Sequence, residues 1–161
     1  MRGGSPGPAF GYAPRTESRF GRRGRVGDAA ISVRWASTSP SDGRFSTAHL
    51  ETTPDQLRGR FQELHARGEG YVEVATDDRR FPLLLMGFRG EHAVVHRSDG
   101  PESMSLLRGD GSVSSEDVVE VLIMDNLAAF TGEFVLSVRH AWEVVEDFMR
   151  SGAVGGDWCP L

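Results

Sequence analysis

Apolar residues recur along this chain with two different periods. From Thr53 the spacing is helical: Leu57, Phe61 and Leu64 lie at i, i+4 and i+7 and share one face. Thr53 can cap that helix, Pro54 suits its first turn, and Gln56 completes a capping box. Gly68 and Gly70 end it. A second stripe of Val138, Ala141, Trp142, Val145, Phe148 and Met149 follows a capping Ser137 and stops at Gly152. Arg139, Glu143, Glu146, Asp147 and Arg150 take its other face.

The remaining apolar runs predict strands. Residues 30–35 alternate loosely and read as a first strand, followed by a loop rich in Ser, Pro and Gly. Residues 71–74, 81–88, 92–96, 103–107 and 118–124 follow the first helix. The run from Phe81 to Phe88 is apolar with little alternation, which predicts a central strand covered on both faces. Pro82 cannot donate to a ladder, so it belongs at that strand's beginning. Asp77-Asp78-Arg79-Arg80, Arg89-Gly90-Glu91 and Ser98-Asp99-Gly100-Pro101 read as tight turns. Short strands joined by tight turns argue against parallel βαβ units. The expected fold class is α+β: an antiparallel β-meander sheet with two amphipathic helices packed on it. Trp158, near the chain end, is expected to dock back on the core.

Charge divides the chain more sharply than its average suggests. All 18 basic residues are arginine, which we read as codon bias rather than chemistry. Residues 1–25 hold six of them against one acid, Glu17, a net of +5. The other 12 arginines face 22 acids, a net of −10, which together make the formal −5. Residues 1–28, rich in Arg, Gly and Pro, cannot bury enough apolar surface to offset chain entropy and are expected to be a disordered tail. The tail has no apolar core of a secretory signal, and its Gly and Pro spoil an amphipathic transit helix. Residues 29–161 are expected to form a single domain. An acidic body disfavours direct nucleic-acid binding and favours a basic protein partner. No run approaches the ~18 apolar residues of a membrane span, so no membrane association is expected.

Candidate chemistry is sparse. His92 and His96 share a strand face but lie ~13 Å apart in extended chain, and no third zinc ligand accompanies them. Asp110-Gly111-Ser112-Val113-Ser114 echoes a calcium loop, yet Val121 stands where the closing glutamate belongs. Cys159 is the one cysteine, so no internal disulfide is possible, and a chain end is a poor setting for a reactive thiolate. There is no Gly-x-Ser-x-Gly elbow, and no phosphate loop can form without lysine. Gly68-Glu69-Gly70 runs from helix to strand, the wrong order for a dinucleotide. The sequence predicts no catalytic residue, no metal and no cofactor. The paired carboxylates Asp77-Asp78 and Glu116-Asp117 read as solvated turn residues rather than an acid/base pair.

Residues 138–152, an alanine-containing amphipathic helix ending Phe148-x-x-x-Gly152 and followed by Trp158, resemble the C-terminal signature of the first immunity-protein family of bacterial polymorphic toxin systems. The order before it is also similar: a strand, a threonine-rich link into one helix, then a meander with apolar runs around Leu83-Leu84-Leu85 and Ala93-Val94-Val95. The resemblance spans about residues 29–161. One departure is Gly155, where the family often has proline. The resemblance implies a cytoplasmic, non-enzymatic protein that binds a cognate toxin domain, such as a nucleic-acid deaminase or nuclease, and occludes its active site. Trp142, Phe148, Gly152 and Trp158 would then be structural. The turn acids Asp77, Asp78, Asp99, Glu102, Asp110, Glu116 and Asp117 are the expected toxin contacts, because turns can extend charge without disturbing a core. The alternative is a small α+β enzyme or ligand-binding domain, which needs a pocket lined by several of His92, His96, Glu73 and Glu120.

Overall fold

The computed structural model describes residues 31–76 and 79–161. The tail expected over residues 1–28, and the turn acids Asp77 and Asp78, lie outside the described residues. The elements are β1 (Val33–Ser37), β2 (Leu50–Thr52), α1 (Pro54–Arg67), β3 (Glu69–Thr76), β4 (Leu83–Arg89), β5 (His92–Gly100), β6 (Ser103–Leu107), β7 (Val118–Ile123), β8 (Asn126–Thr131), a 3-10 turn (Gly132–Phe134), β9 (Leu136–Ser137), α2 (Val138–Ser151) and β10 (Trp158–Pro160).

Both helices form where the caps predict. The Thr53 hydroxyl accepts from the Gln56 amide, and the Gln56 side chain accepts from the Thr53 amide. These bonds satisfy amides that the first turn of a helix leaves without partners. Ser137 does the same for α2 by accepting from His140 N–H. Gly68 and Gly152 close the two helices at φ 92° and 67°, a left-handed backbone that costs glycine little.

The main sheet is antiparallel and ordered β10-β6-β5-β4-β3-β1-β2, with β9 added to β5 beside β6. Its centre, β3-β4-β5-β6, is the expected meander. Two features differ from the sequence expectation. The first strand inserts between β3 and the short β2, so the sheet extends beyond the meander. The strand at 118–123 does not join the sheet at all. It pairs with β8 as a separate hairpin that lies across one face of the main sheet. Residues 126–131 do not read as a strand, because Leu127-Ala128-Ala129-Phe130 lacks the period-2 alternation and its alanines have low strand preference.

The two sheet faces are packed differently. On one face Val33, Trp35, Val72, Val74, Leu84 and Phe88 bury against both helices. Phe61 of α1 and Trp142 of α2 stack with ring centres 4.1 Å apart and planes within 1°, locking the helices together over the sheet. Trp158 packs against the edge of this core and donates its indole N–H to Gly155 O at 3.1 Å. Burying each large aliphatic side chain contributes ~1.5–3 kcal/mol. On the other face the hairpin covers Val94 and Leu106 through Val121, Ile123 and Phe130. Gly87 of β4 makes this possible: a Cβ there would collide with the Leu122 carbonyl and the Ile123 side chain. No described helix is long and apolar enough to cross a membrane.

Candidate functional site

The β7–β8 hairpin does not reach the end of the sheet where β3 turns into β4 and β5 into β6. The strand registers place Arg34 beside Ala75, Leu83 beside Ala75, and Ser98 beside Leu83, so one row of residues runs across this uncovered end. A cavity of about 510 Å³ opens over that row. Arg34, His49, Glu73, Arg80, Phe81 and Ser98 line it, with Leu83 and Pro101.

The polar groups of the cavity are held by the strands and by one another. Glu73 is 8% exposed. Its Oε1 accepts from the Tyr71 hydroxyl at 2.9 Å, and its Oε2 lies 3.8 Å from His49 Nε2. Burial, and then the Glu73 charge, pushes the Tyr71 hydroxyl well above its ordinary pKa, so Tyr71 acts here as a donor. Arg34 donates from Nη2 to the Arg79 carbonyl at 2.9 Å, while its buried Nε has no partner among the described residues. Arg80 stacks over the Phe81 ring at 5.6 Å. Ser98 donates to the Gly100 carbonyl at a bulge in β5.

Glu73 was one of the four residues expected to line a pocket; the other three do not join it. His96 lies on the same sheet face but under the hairpin, with its ring edge-on to Phe130 at 5.7 Å. It is partly buried there, and desolvation pushes its pKa down to about 4, which favours the neutral imidazole. His92 sits at the far end of β5, paired with Ser137 of β9. Glu120 lies on the outside of the hairpin, within ion-pair distance of Arg89. The cavity instead recruits Arg34, His49 and Arg80, which sequence reasoning missed. The one signal for Arg34 is its place between Val33 and Trp35, which sends it to the opposite face from both.

The turn acids fall into two groups. Asp99, near the end of β5, and Glu102, in the β5–β6 turn, sit at the cavity end. Asp110, Glu116 and Asp117 belong to the opposite end, where Gly109 N–H donates to Glu133 O and Gly132 N–H donates to Asp117 O. Asp99 pairs with Arg97 at 2.8 Å. Asp110 is occupied within the fold: its carboxylate accepts from Ser112 N–H, Ser137 N–H and Ser137 Oγ, and lies 3.2 Å from His140 Nδ1. Partial burial acts to raise its pKa, but these hydrogen bonds outweigh it and hold the carboxyl below its ordinary value. Asp110 therefore buttresses the start of α2. Glu102, Glu116 and Asp117 are exposed, with no ion pair or side-chain hydrogen bond among the described residues.

Compared with known protein families and with curated proteins, the chain matches none. Among the described residues no group of three or more His, Cys, Asp or Glu side chains is placed to hold a metal ion. Cys159 is a half-buried free thiol on β10. The structural quartet spans both situations: Trp142 and Phe148 are buried in the helix-side core, Gly152 caps α2, and Trp158 is partly buried at its edge.

Proposed function

We propose that this chain is an immunity-type protein, acting in the cytoplasm by binding a cognate toxin domain and occluding its active site, without catalysis of its own. The observation that carries this reading is the set of turn carboxylates without an ion pair among the described residues, Glu102, Glu116 and Asp117, on a chain whose residues 26–161 carry a net charge of −10. A toxin that acts on nucleic acid needs a basic cleft, and such a cleft attracts an acidic surface from a distance. The C-terminal pattern of α2, Gly152 and Trp158 supports the same reading through its resemblance to the first immunity-protein family. Because the acids sit at two ends of the molecule, they define two candidate contact surfaces, around Glu102 and around Glu116-Asp117.

The test is complex formation with the toxin domain encoded beside this chain. The purified pair should co-elute at low salt, and the toxin's activity should fall in proportion to the complex formed. No complex at low salt would remove the reading. A second reading, a small ligand-binding domain, is favoured by the cavity beside Glu73.

A further inference from the structure

We propose that the cavity at the open end of the sheet binds a small zwitterion, with a carboxylate at one end and an ammonium at the other, of the size of a free amino acid. The inference is independent of toxin binding.

The cavity is polar in two senses. Arg34 and Arg80 supply donors only. The Arg34 Nε has no partner among the described residues but is sealed from solvent, so Arg34 meets the cavity through its Nη groups, of which Nη2 also donates to the Arg79 carbonyl; Arg80 makes no ion pair among the described residues. A guanidinium edge of this kind matches a carboxylate with two parallel hydrogen bonds. The other side supplies acceptors. Glu73 Oε1 is used by Tyr71, but Oε2 is 3.8 Å from His49, beyond hydrogen-bond reach, and retains its acceptor capacity. The Ser98 hydroxyl spends its proton on Gly100 O, so its oxygen also faces the cavity as an acceptor.

The spacing suits a short ligand. Arg34 is opposite Ala75 and Glu73 is two residues along the same strand, so the two are diagonal neighbours with backbones ~7–8 Å apart. A cavity of about 510 Å³ lies within the ~300–1,000 Å³ range of small-molecule sites. A bare anion would satisfy the arginines and leave Glu73 facing it with like charge. A bare cation would do the reverse. A zwitterion satisfies both, and Phe81 and Leu83 give its apolar middle a surface to lie on.

The experiment is an amide NMR titration of the full chain with the common amino acids. Succinate, inorganic phosphate and N-acetylated amino acids serve as anions without the ammonium. Saturable shifts at Arg34, Glu73, Arg80 and Ser98 are expected from at least one amino acid. Arg80 lies in an exposed connection, so Arg80→Met keeps the fold and should weaken that binding ~10–100-fold, the loss of a charge-assisted pair. Glu73→Gln should remove the preference for the free amino acid over its N-acetyl form. No saturable shift up to about 10 mM would overturn the proposal. Binding unchanged in Arg80→Met, or an N-acetyl form binding as well as its parent, would overturn it too.

Discussion

The two faces of the central sheet are built from the same strands and end up with different work. The helix face is dominated by a dry apolar layer of Val33, Trp35, Val72, Val74, Leu84 and Phe88, with Arg97 and Ser105 at its β5–β6 margin. The hairpin face alternates with it residue by residue, yet carries Arg34, Tyr71, Glu73, His96 and Ser98 among its apolar positions. Polar groups are costly to bury unless each finds a partner. The Tyr71 hydroxyl donates to one oxygen of Glu73, His96 stays neutral against Phe130, and the buried Arg34 Nε has no partner among the described residues. Stability rests chiefly on the helix face, and the other face and its turns carry the groups that the proposed recognition would use.

The strongest challenge to that division is Trp142→Ala. It removes the ring stacked on Phe61 and opens a void between the helices, so urea unfolding should show a loss of ~3–5 kcal/mol. A loss under 1 kcal/mol would mean the helix face is not the stabilising one. Gly87→Val attacks the other side. Its new side chain meets the Leu122 carbonyl, and displacing the hairpin should cost ~1–3 kcal/mol. The NMR titration of His96 should then move up from about 4 toward 6.5 as the ring becomes wet.

Acid separates two smaller effects. His96 is held neutral in the fold, so its contribution is present above the unfolded value of 6.5 and declines as pH falls toward about 4. His96→Leu should flatten stability across that window. Asp110 is held charged, so its contribution is present above 3.8 and is lost as pH falls below that value. Asp110→Ala should cost ~1–2 kcal/mol near neutrality, because it strips acceptors from Ser112 and Ser137. The smallest effect belongs to Glu143→Ala, exposed and paired only with Arg139 along one helix turn, at under ~0.5 kcal/mol by the same denaturation.

Much of the helix face was legible in the sequence, because caps and i, i+4 spacing are local signals. Thr53, Pro54 and Gln56 announce α1, and Ser137 and Gly152 bracket α2 with no tertiary information needed. The central position of β4 was also legible, since Leu83–Phe88 lacks the alternation of a half-exposed strand. The hairpin face was not. Whether β7 joins the main sheet or folds over it depends on Gly87, and a glycine inside a strand does not say which backbone approaches it. The cavity was invisible for a related reason: Arg34, His49, Glu73, Arg80 and Ser98 come from five separate segments, and only the register of β1, β3, β4 and β5 brings them to one end. The turn acids were visible as acids, but not that Asp110 would be spent on Ser137 while Glu116 and Asp117 make no ion pair among the described residues.

The division between stability and recognition is tested most directly by reversing the turn charges. In a variant carrying Glu102→Arg, Glu116→Arg and Asp117→Arg, association with the toxin domain of the proposed function is followed by stopped flow over a salt series, alongside its urea unfolding. The variant should unfold with a free energy within ~0.5 kcal/mol of the parent, associate ~10-fold or more slowly at low salt, and show a shallower salt dependence. A parent complex whose association is indifferent to salt and to the three reversals would contradict that division, and would move the contact to an apolar surface.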